Sequence, residues 1–283
     1  MSTNISWTDE TWNPVVGCER VSPGCAHCYA KAIHDMRHQA FHEQKSVPQQ
    51  YAQPFEHVQL MYDRLERPLH WRKSRRIFVN SVSDLFHKDV PDEFIDEVFN
   101  VMWRAHWHIF QILTKRPERM KEYMEGRWYL VNKVLPNVWL GTSVENQRWA
   151  NERIPLLLHT PAAVRFLSCE PLLGPLDIAP FLHKSLRVHI CLKCHYFSNV
   201  SGETHCPNDG WELVPDVAID WVIVGGESGP NYRTMHFDWA RSLRDQCVAA
   251  GVPFFFKQGN GYRSEQCALL DGQEWHQFPE VAA

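Results

Sequence analysis

The sequence contains no run of about 18 apolar residues, which excludes a membrane-spanning helix. Its first ten residues are polar and acidic and lack the apolar core of a secretory signal. Positive charge is not in excess. Lys and Arg number 29 against 33 Asp and Glu, for a net charge of −4, so a broad basic surface that grips nucleic acid without specificity is excluded, though a local patch is not. No G-x-G-x-x-G follows an apolar run, which argues against a dinucleotide-binding domain. What the chain does have is nine cysteines, twelve tryptophans and sixteen histidines. An odd cysteine count without an export signal points to thiols or metal ligands in a reducing cytoplasm rather than to a disulfide framework. With 44% hydrophobic and 22% charged residues the composition is globular, and 283 residues suit one α/β barrel.

Short apolar runs recur along the chain, each followed by polar residues or glycine: Ile77–Asn80, Ile109–Leu113, Val138–Gly141, Val164–Ser168, Trp221–Val224 and Pro253–Phe256. Such runs read as strands buried on both faces, hence parallel. Helical patterns lie between them at Asp92–Ala105, Pro117–Met124, Glu145–Leu158 and Asp238–Ala250, with Gly251 placed to cap the last. A further strand just before Cys18 makes about seven βα units. We therefore expect an α/β fold, a partial or nearly closed (βα) barrel over residues 1–283, with an open doubly wound sheet as the alternative. Two segments break the pattern: Lys45–Arg76, which is proline-interrupted, and residues 183–216, which read as a small metal-binding insertion.

In such barrels the residues at strand C-termini converge on one mouth. Those residues are Ser81, Ser83 and Asp84, then Thr114, Lys115 and Arg116, then Thr142, Ser143, Glu145 and Asn146. Ser168 and Glu170, then Gly225, Gly226, Glu227 and Ser228, then Lys257 and Gln258 complete the ring. Helix caps and turns account for some of them, and Ser143 or Asn146 fits a cap, but capping does not call for Lys, Glu or Gln at successive strands. Gly225-Gly226-Glu227 stands out, since two glycines admit a ligand to the backbone beside a carboxylate.

Cys18-x6-Cys25-x2-Cys28 lies on a loop shaped by Gly17, Pro23 and Gly24, with a helix beginning near Tyr29. Three thiolates this close suit a [4Fe–4S] cluster with one iron left open, or, with His27 or His34, a zinc ion. Cys191-x2-Cys194 and Cys206 read as a zinc ribbon whose fourth ligand is Asp209, His195 or His205. An auxiliary iron–sulfur cluster and a metal-free loop are the other readings. Cys247 and Cys267 read as small buried hydrophobes, and Cys169 sits beside Glu170 at a strand end.

The stretches Thr11–Cys18 and Val21–Ala30, with Phe78–His87, Leu113–Met120, Val138–Asn146, Arg165–Leu172, Trp221–Pro230 and Val252–Gln258, resemble a phage and bacterial family of radical-SAM-like three-cysteine proteins of otherwise unknown function. That family is distantly similar to radical SAM enzymes such as the DNA photoproduct lyases. The resemblance implies a barrel of the radical SAM type. It implies a [4Fe–4S] cluster on Cys18, Cys25 and Cys28, and S-adenosylmethionine cleaved to a 5′-deoxyadenosyl radical. It places Gly225, Gly226, Glu227, Ser143, Glu145 and Tyr29 around the cofactor, and Glu227, Lys115, Asp84 and Glu170 as candidate catalytic groups. The superfamily spacing is C-x3-C-x2-C, whereas the first gap here is six, and His27 stands where an aromatic residue is usual. The expected substrate is a nucleobase, nucleotide or nucleic acid, and the expected electron donor a flavodoxin or ferredoxin. Trp71–Arg76 with Lys115, Arg116 and Arg119 would form a basic rim for phosphates. The competing function is a metal-stabilised nucleic-acid-binding or partner protein without turnover.

Overall fold

The computed structural model describes residue 3 and residues 5–128, 134–182, 189–190, 197–198 and 218–280. Seven parallel strands form one sheet: β1 (Glu10–Trp12), β2 (Arg76–Val79), β3 (Ile109–Thr114), β4 (Val138–Ser143), β5 (Val164–Cys169), β6 (Trp221–Gly225) and β7 (Phe254–Gln258). Their spatial order is their sequence order. A doubly wound sheet reverses direction at a switch point, so this order rules out the alternative fold. The helices are α1 (Tyr29–His42) after β1, α2 (Asp92–Arg104) after β2, α3 (Pro117–Tyr123) after β3, α4 (Gln147–His159) after β4 and α5 (Phe237–Ala250) after β6. Gly251 caps α5 in the left-handed conformation at φ 67°, as expected from its position.

Side-chain alternation divides each strand between two cores. Ile77, Val79, Phe110, Ile112, Leu140, Leu167, Val222, Val224, Phe254 and Phe256 face the helices. Phe78, Trp139, Phe166, Trp221, Ile223 and Phe255 face inward and pack with Trp7. Trp7 lies 4.6 Å from Phe78 on β2 and 6.3 Å from Trp221 on β6. In a flat sheet strands four apart are about 19 Å distant, so one indole can touch both only because the sheet is curled. Strands β1 and β7 end the sheet without joining each other, the outer edge of β7 being met by the C-terminal segment through the Phe256 amide to the Trp275 carbonyl at 2.8 Å, and the structure is a half-barrel. The N-terminal segment and Phe278, 5.2 Å from Trp221, fill its lower interior.

The first strand lies earlier than expected. Val15–Val16, just before Cys18, pairs antiparallel with Gln59–Leu60 outside the main sheet, and Glu10–Trp12 takes the edge position beside β2. Strands β4, β5 and β7 run one or two residues further than their apolar runs, with Ser143 paired to Ser168 and Gln258 paired to Gly225 past a register shift. Thr142, Ser143, Cys169 and Gln258, among the added residues, are buried as well, so burial and apolarity do not end together. Cys169 and Cys247 are buried, but Cys267 is exposed, on a turn with φ 54°, which corrects its assignment to the core. Cys191, Cys194, His195, His205, Cys206 and Asp209 lie outside the described residues; the paired strands His189–Ile190 and Phe197–Ser198 bracket the first three in sequence.

Candidate functional site

The loop from Gly17 to Cys28 connects β1 to α1 across the C-terminal end of the sheet. Gly17 starts it at φ 94°, and a Cβ there would stand 2.6 Å from the His57 carbonyl oxygen and 2.8 Å from that of Phe55. Glycine therefore lets the chain press against the 55–57 segment, where the Cys18 amide donates to the Phe55 carbonyl at 3.0 Å. Cys18, Cys25 and Cys28 are all half-buried free thiols. Cys28 occupies the N-cap of α1 but makes no side-chain cap bond, which leaves its sulfur uncommitted.

Three acid–base pairs hold this loop. Asp84 accepts from Thr114 Oγ1 at 2.7 Å, the Phe86 amide at 3.0 Å, the Lys115 amide at 3.1 Å and Arg116 Nη1 at 2.9 Å. Arg116 in turn donates to Cys18 Sγ at 3.7 Å and to the Glu19 carbonyl at 3.3 Å. Burial pushes the Cys18 thiol up to about 11, with Asp84 adding to the shift and Arg116 opposing it. Glu145, fully buried, accepts from Arg153 Nη1 at 3.2 Å and from the Ser22 hydroxyl. Gly24 packs so closely on this carboxylate that a Cβ would lie 2.4 Å from its Oε1. Glu227 accepts from the Arg233 amide at 2.8 Å and from its guanidinium, and its Oε2 lies 3.0 Å from His27 Nδ1. Arg233 also donates to the Pro23 carbonyl at 2.9 Å. Burial opposes ionisation of Glu227, but the Arg233 side chain and amide and the His27 ring outweigh it and hold the carboxyl below the usual range.

Asp84, Glu145 and Glu227 are thus brought to one end of the sheet, as the reading of the mouth expected, and each is engaged in positioning the cysteine loop. Glu170 and Lys115 are less committed. Glu170 Oε1 is 3.2 Å from Lys257 Nζ, and its Oε2 accepts from Ser168 at 3.3 Å. Gly225 makes room for this carboxylate, since a Cβ there would stand 2.7 Å from Glu170 Oε1. Gly226 lies against Gly259 and Asn260. Lys115 Nζ is 3.9 Å from Glu145 Oε1. Ser143 is buried and gives its carbonyl to Arg153 at 2.7 Å. Tyr29 is 48% exposed at the start of α1, and its hydroxyl donates to the Ser81 carbonyl. Asn146, not Ser143, caps α4, accepting from the Trp149 amide at 3.3 Å.

The basic rim does not form. Arg76 opens β2 and pairs with Asp9, and Arg75 pairs with Glu10, whereas Lys115 and Arg116 follow the far end of β3. A six-residue strand separates the two groups by about 17 Å or more. Arg119 is turned to the His87 and Val90 carbonyls and Asp92. Sequence reasoning missed Arg153, Arg233 and Ser22 as members of the site. The spacing of Trp149 and Arg153, one helical turn apart, carries a signal for the first: the guanidinium lies 4.1 Å from the ring centroid.

Residues 2–279 match the family model described as Protein of unknown function (DUF5131). The chain belongs to that family. No curated protein and no solved structure matches it. Among the described residues no three His, Cys, Asp or Glu side chains are gathered as a metal-holding group, and no helix is long and apolar enough to cross a membrane.

Proposed function

We propose that this family member is a radical-SAM-like enzyme carrying a [4Fe–4S] cluster on Cys18, Cys25 and Cys28 and acting on a nucleobase, nucleotide or nucleic acid. The observation that carries the reading is the clamping of a three-thiol loop over the C-terminal end of an in-order parallel half-barrel by three acid–base pairs. A surface loop with no task does not need two carboxylates buried at 0% and 5% side-chain exposure to hold it. The donors suit such a group in kind: Cys18, Cys25 and Cys28 are free thiols on one loop, and Cys28, at the N-cap of α1, makes no side-chain cap bond, although the described residues do not gather the three as a metal-holding group. When bound, such a cluster supplies the electron that cleaves S-adenosylmethionine to a 5′-deoxyadenosyl radical.

The chain's own residues divide the remaining work. Arg116, donating to Cys18, offsets negative charge on its sulfur. Asp84, Glu145 and Glu227 orient the loop through Arg116, Ser22 and His27. Glu170, Lys257, Lys115, Ser143 and Ser168 remain on the mouth as the polar groups for the ligand amino acid and substrate. The aromatic interior of Trp139, Phe166 and Trp221 closes the floor and keeps water from the reacting end. The insertion at 183–216 would hold zinc on Cys191, Cys194, Cys206 and Asp209. A flavodoxin or ferredoxin class protein would deliver the electron.

Anaerobic reconstitution followed by dithionite and S-adenosylmethionine tests the reading. The expected result is a brown protein that releases 5′-deoxyadenosine, with the iron–sulfur absorption lost in Cys25→Ala and retained in Cys194→Ala. The second reading, a metal-stabilised nucleic-acid-binding or partner protein without turnover, draws on the engagement of Asp84, Glu145 and Glu227 in structure rather than at an open site. A colourless zinc protein, or a cluster that leaves S-adenosylmethionine intact, would establish it instead.

A further inference from the structure

At the opposite end of the half-barrel from the cysteine loop, aromatic and basic side chains gather where two connections enter strands. The segment 67–76 carries five Lys or Arg and no Asp or Glu, in a chain whose net charge is −4. It packs beside the α2–β3 connection: Trp107 Nε1 donates to the Trp71 carbonyl at 2.9 Å, and Arg104 pairs with Glu66 at 3.1 Å. Three of the five cations are paired, Arg67 with Asp63, Arg75 with Glu10 and Arg76 with Asp9. Arg72 and Lys73 are exposed and form no ion pair among the described residues. Trp107, bonded to the carbonyl of neighbouring Trp71, is 36% exposed, and Trp103, four residues earlier near the end of α2, is 60% exposed.

An exposed tryptophan costs hydration, and this pair stands outside both cores. Trp107 is moreover held in place by its indole N–H, so that its ring is a fixed platform rather than a mobile surface group. Rigid indole faces beside free cations match the two components of a single-stranded nucleic acid, the base face and the phosphate. Duplex DNA offers phosphates but keeps its base faces stacked, and an acidic peptide offers charge without planar rings.

We infer that the surface formed by Arg72, Lys73, Trp103 and Trp107 binds single-stranded nucleic acid, stacking bases on the indoles and pairing phosphates with the two cations. The site lies at the strand N-termini, so it anchors a strand away from the mouth and does not depend on any cluster there. Arg104 can exchange Glu66 for a phosphate at little cost, because a surface pair of this kind contributes under about 1 kcal/mol.

Fluorescence anisotropy of the full chain with a labelled oligothymidine of about 15 nucleotides tests this, with an equal-length duplex and phosphatidylserine vesicles as comparison probes. The expected result is preference for the single strand, with quenching of tryptophan fluorescence. Trp107→Ala and Trp103→Ala should each weaken binding about ten-fold. R72E and K73E, which touch only exposed side chains and leave the melting temperature unchanged, should each lower the log–log salt slope by about 0.7 or more. The triple variant Cys18→Ala, Cys25→Ala, Cys28→Ala should bind as the parent does, which separates this site from the proposed enzyme function. Equal affinity for duplex, binding to vesicles alone, no binding of any probe, or single-strand binding insensitive to R72E and K73E would each overturn the inference.

Discussion

Replacing Glu145 by Gln removes one charge from the most deeply buried ion pair among the described residues while keeping its volume. Glu145 and Arg153 have side-chain exposures of 0% and 2% and stand 3.2 Å apart. Taking away one member of such a pair leaves the other charge buried without its counterion, which costs about 3–5 kcal/mol. Arg153 keeps its bond to the Ser143 carbonyl at 2.7 Å and the Trp149 ring at 4.1 Å, so the expected loss is in the lower part of that range, about 3–4 kcal/mol. For a chain of 283 residues that corresponds to a fall in melting temperature of roughly 5–7 °C. The glutamine can still accept from Ser22 and pack on Gly24, so the measurement isolates the charge. Urea unfolding of the parent, Glu145→Gln, Arg153→Met and the double variant gives the coupling directly. The double variant should be less destabilised than the sum of the singles by about 2 kcal/mol or more. Additive losses, or a Glu145→Gln cost below about 0.5 kcal/mol, would refute the clamp. If the clamp is right, Glu145→Gln should also lower iron uptake on reconstitution, because Ser22 and Gly24 lie between Cys18 and Cys25.

Other expectations rest on separate contacts. Gly141→Ala should cost about 1–3 kcal/mol in denaturant titration, since a Cβ would stand 2.5 Å from the Phe166 ring, which is locked among other aromatics. His159 is pushed down to about 4 by burial, with Lys121 and Arg165 adding to the effect. Because the folded value lies below the ordinary 6.5, the unfolded chain takes up the proton first, and stability should fall by about 1–3 kcal/mol as pH drops from 6.5 to 4. His159→Gln should flatten that part of the pH–stability curve, and an unchanged slope would count against the assignment. With its thiol raised to about 11, Cys18 should react with iodoacetamide at pH 8 at least about ten-fold more slowly than exposed Cys267, read peptide by peptide by mass spectrometry. Equal rates would mean that Cys18 is not buried as described.

Local order was largely legible from residues alone. The apolar runs became strands, the acidic start and apolar spacing of Asp92–Arg104 became α2, and Gly251 capped α5, because each of these depends on neighbours within a few positions. The ring of polar strand ends was also visible as a ring. Its use was not. Asp84, Glu145 and Glu227 look alike as isolated carboxylates at strand ends, and what distinguishes them from Glu170 is the cation each meets. Arg233 lies six residues from Glu227 and Arg153 eight from Glu145, within loops and helices whose directions pattern does not specify. The supposed basic rim failed for the same reason: Arg76 and Lys115 sit at opposite ends of neighbouring strands, and nearness in composition says nothing about which end of a sheet a residue occupies.

The sequence by itself determined that the chain is α/β, that its strands are parallel, that no helix spans a membrane, and that three cysteines share one short loop, since composition, periodicity and spacing are local properties. Only the tertiary structure decided that the sheet curls into a half-barrel, that three carboxylates clamp the cysteine loop, and that Cys267 is exposed. Those outcomes depend on which side chains meet across long stretches of chain, as Ser22 meets Glu145 and His27 meets Glu227, and such meetings are not specified by neighbours in sequence.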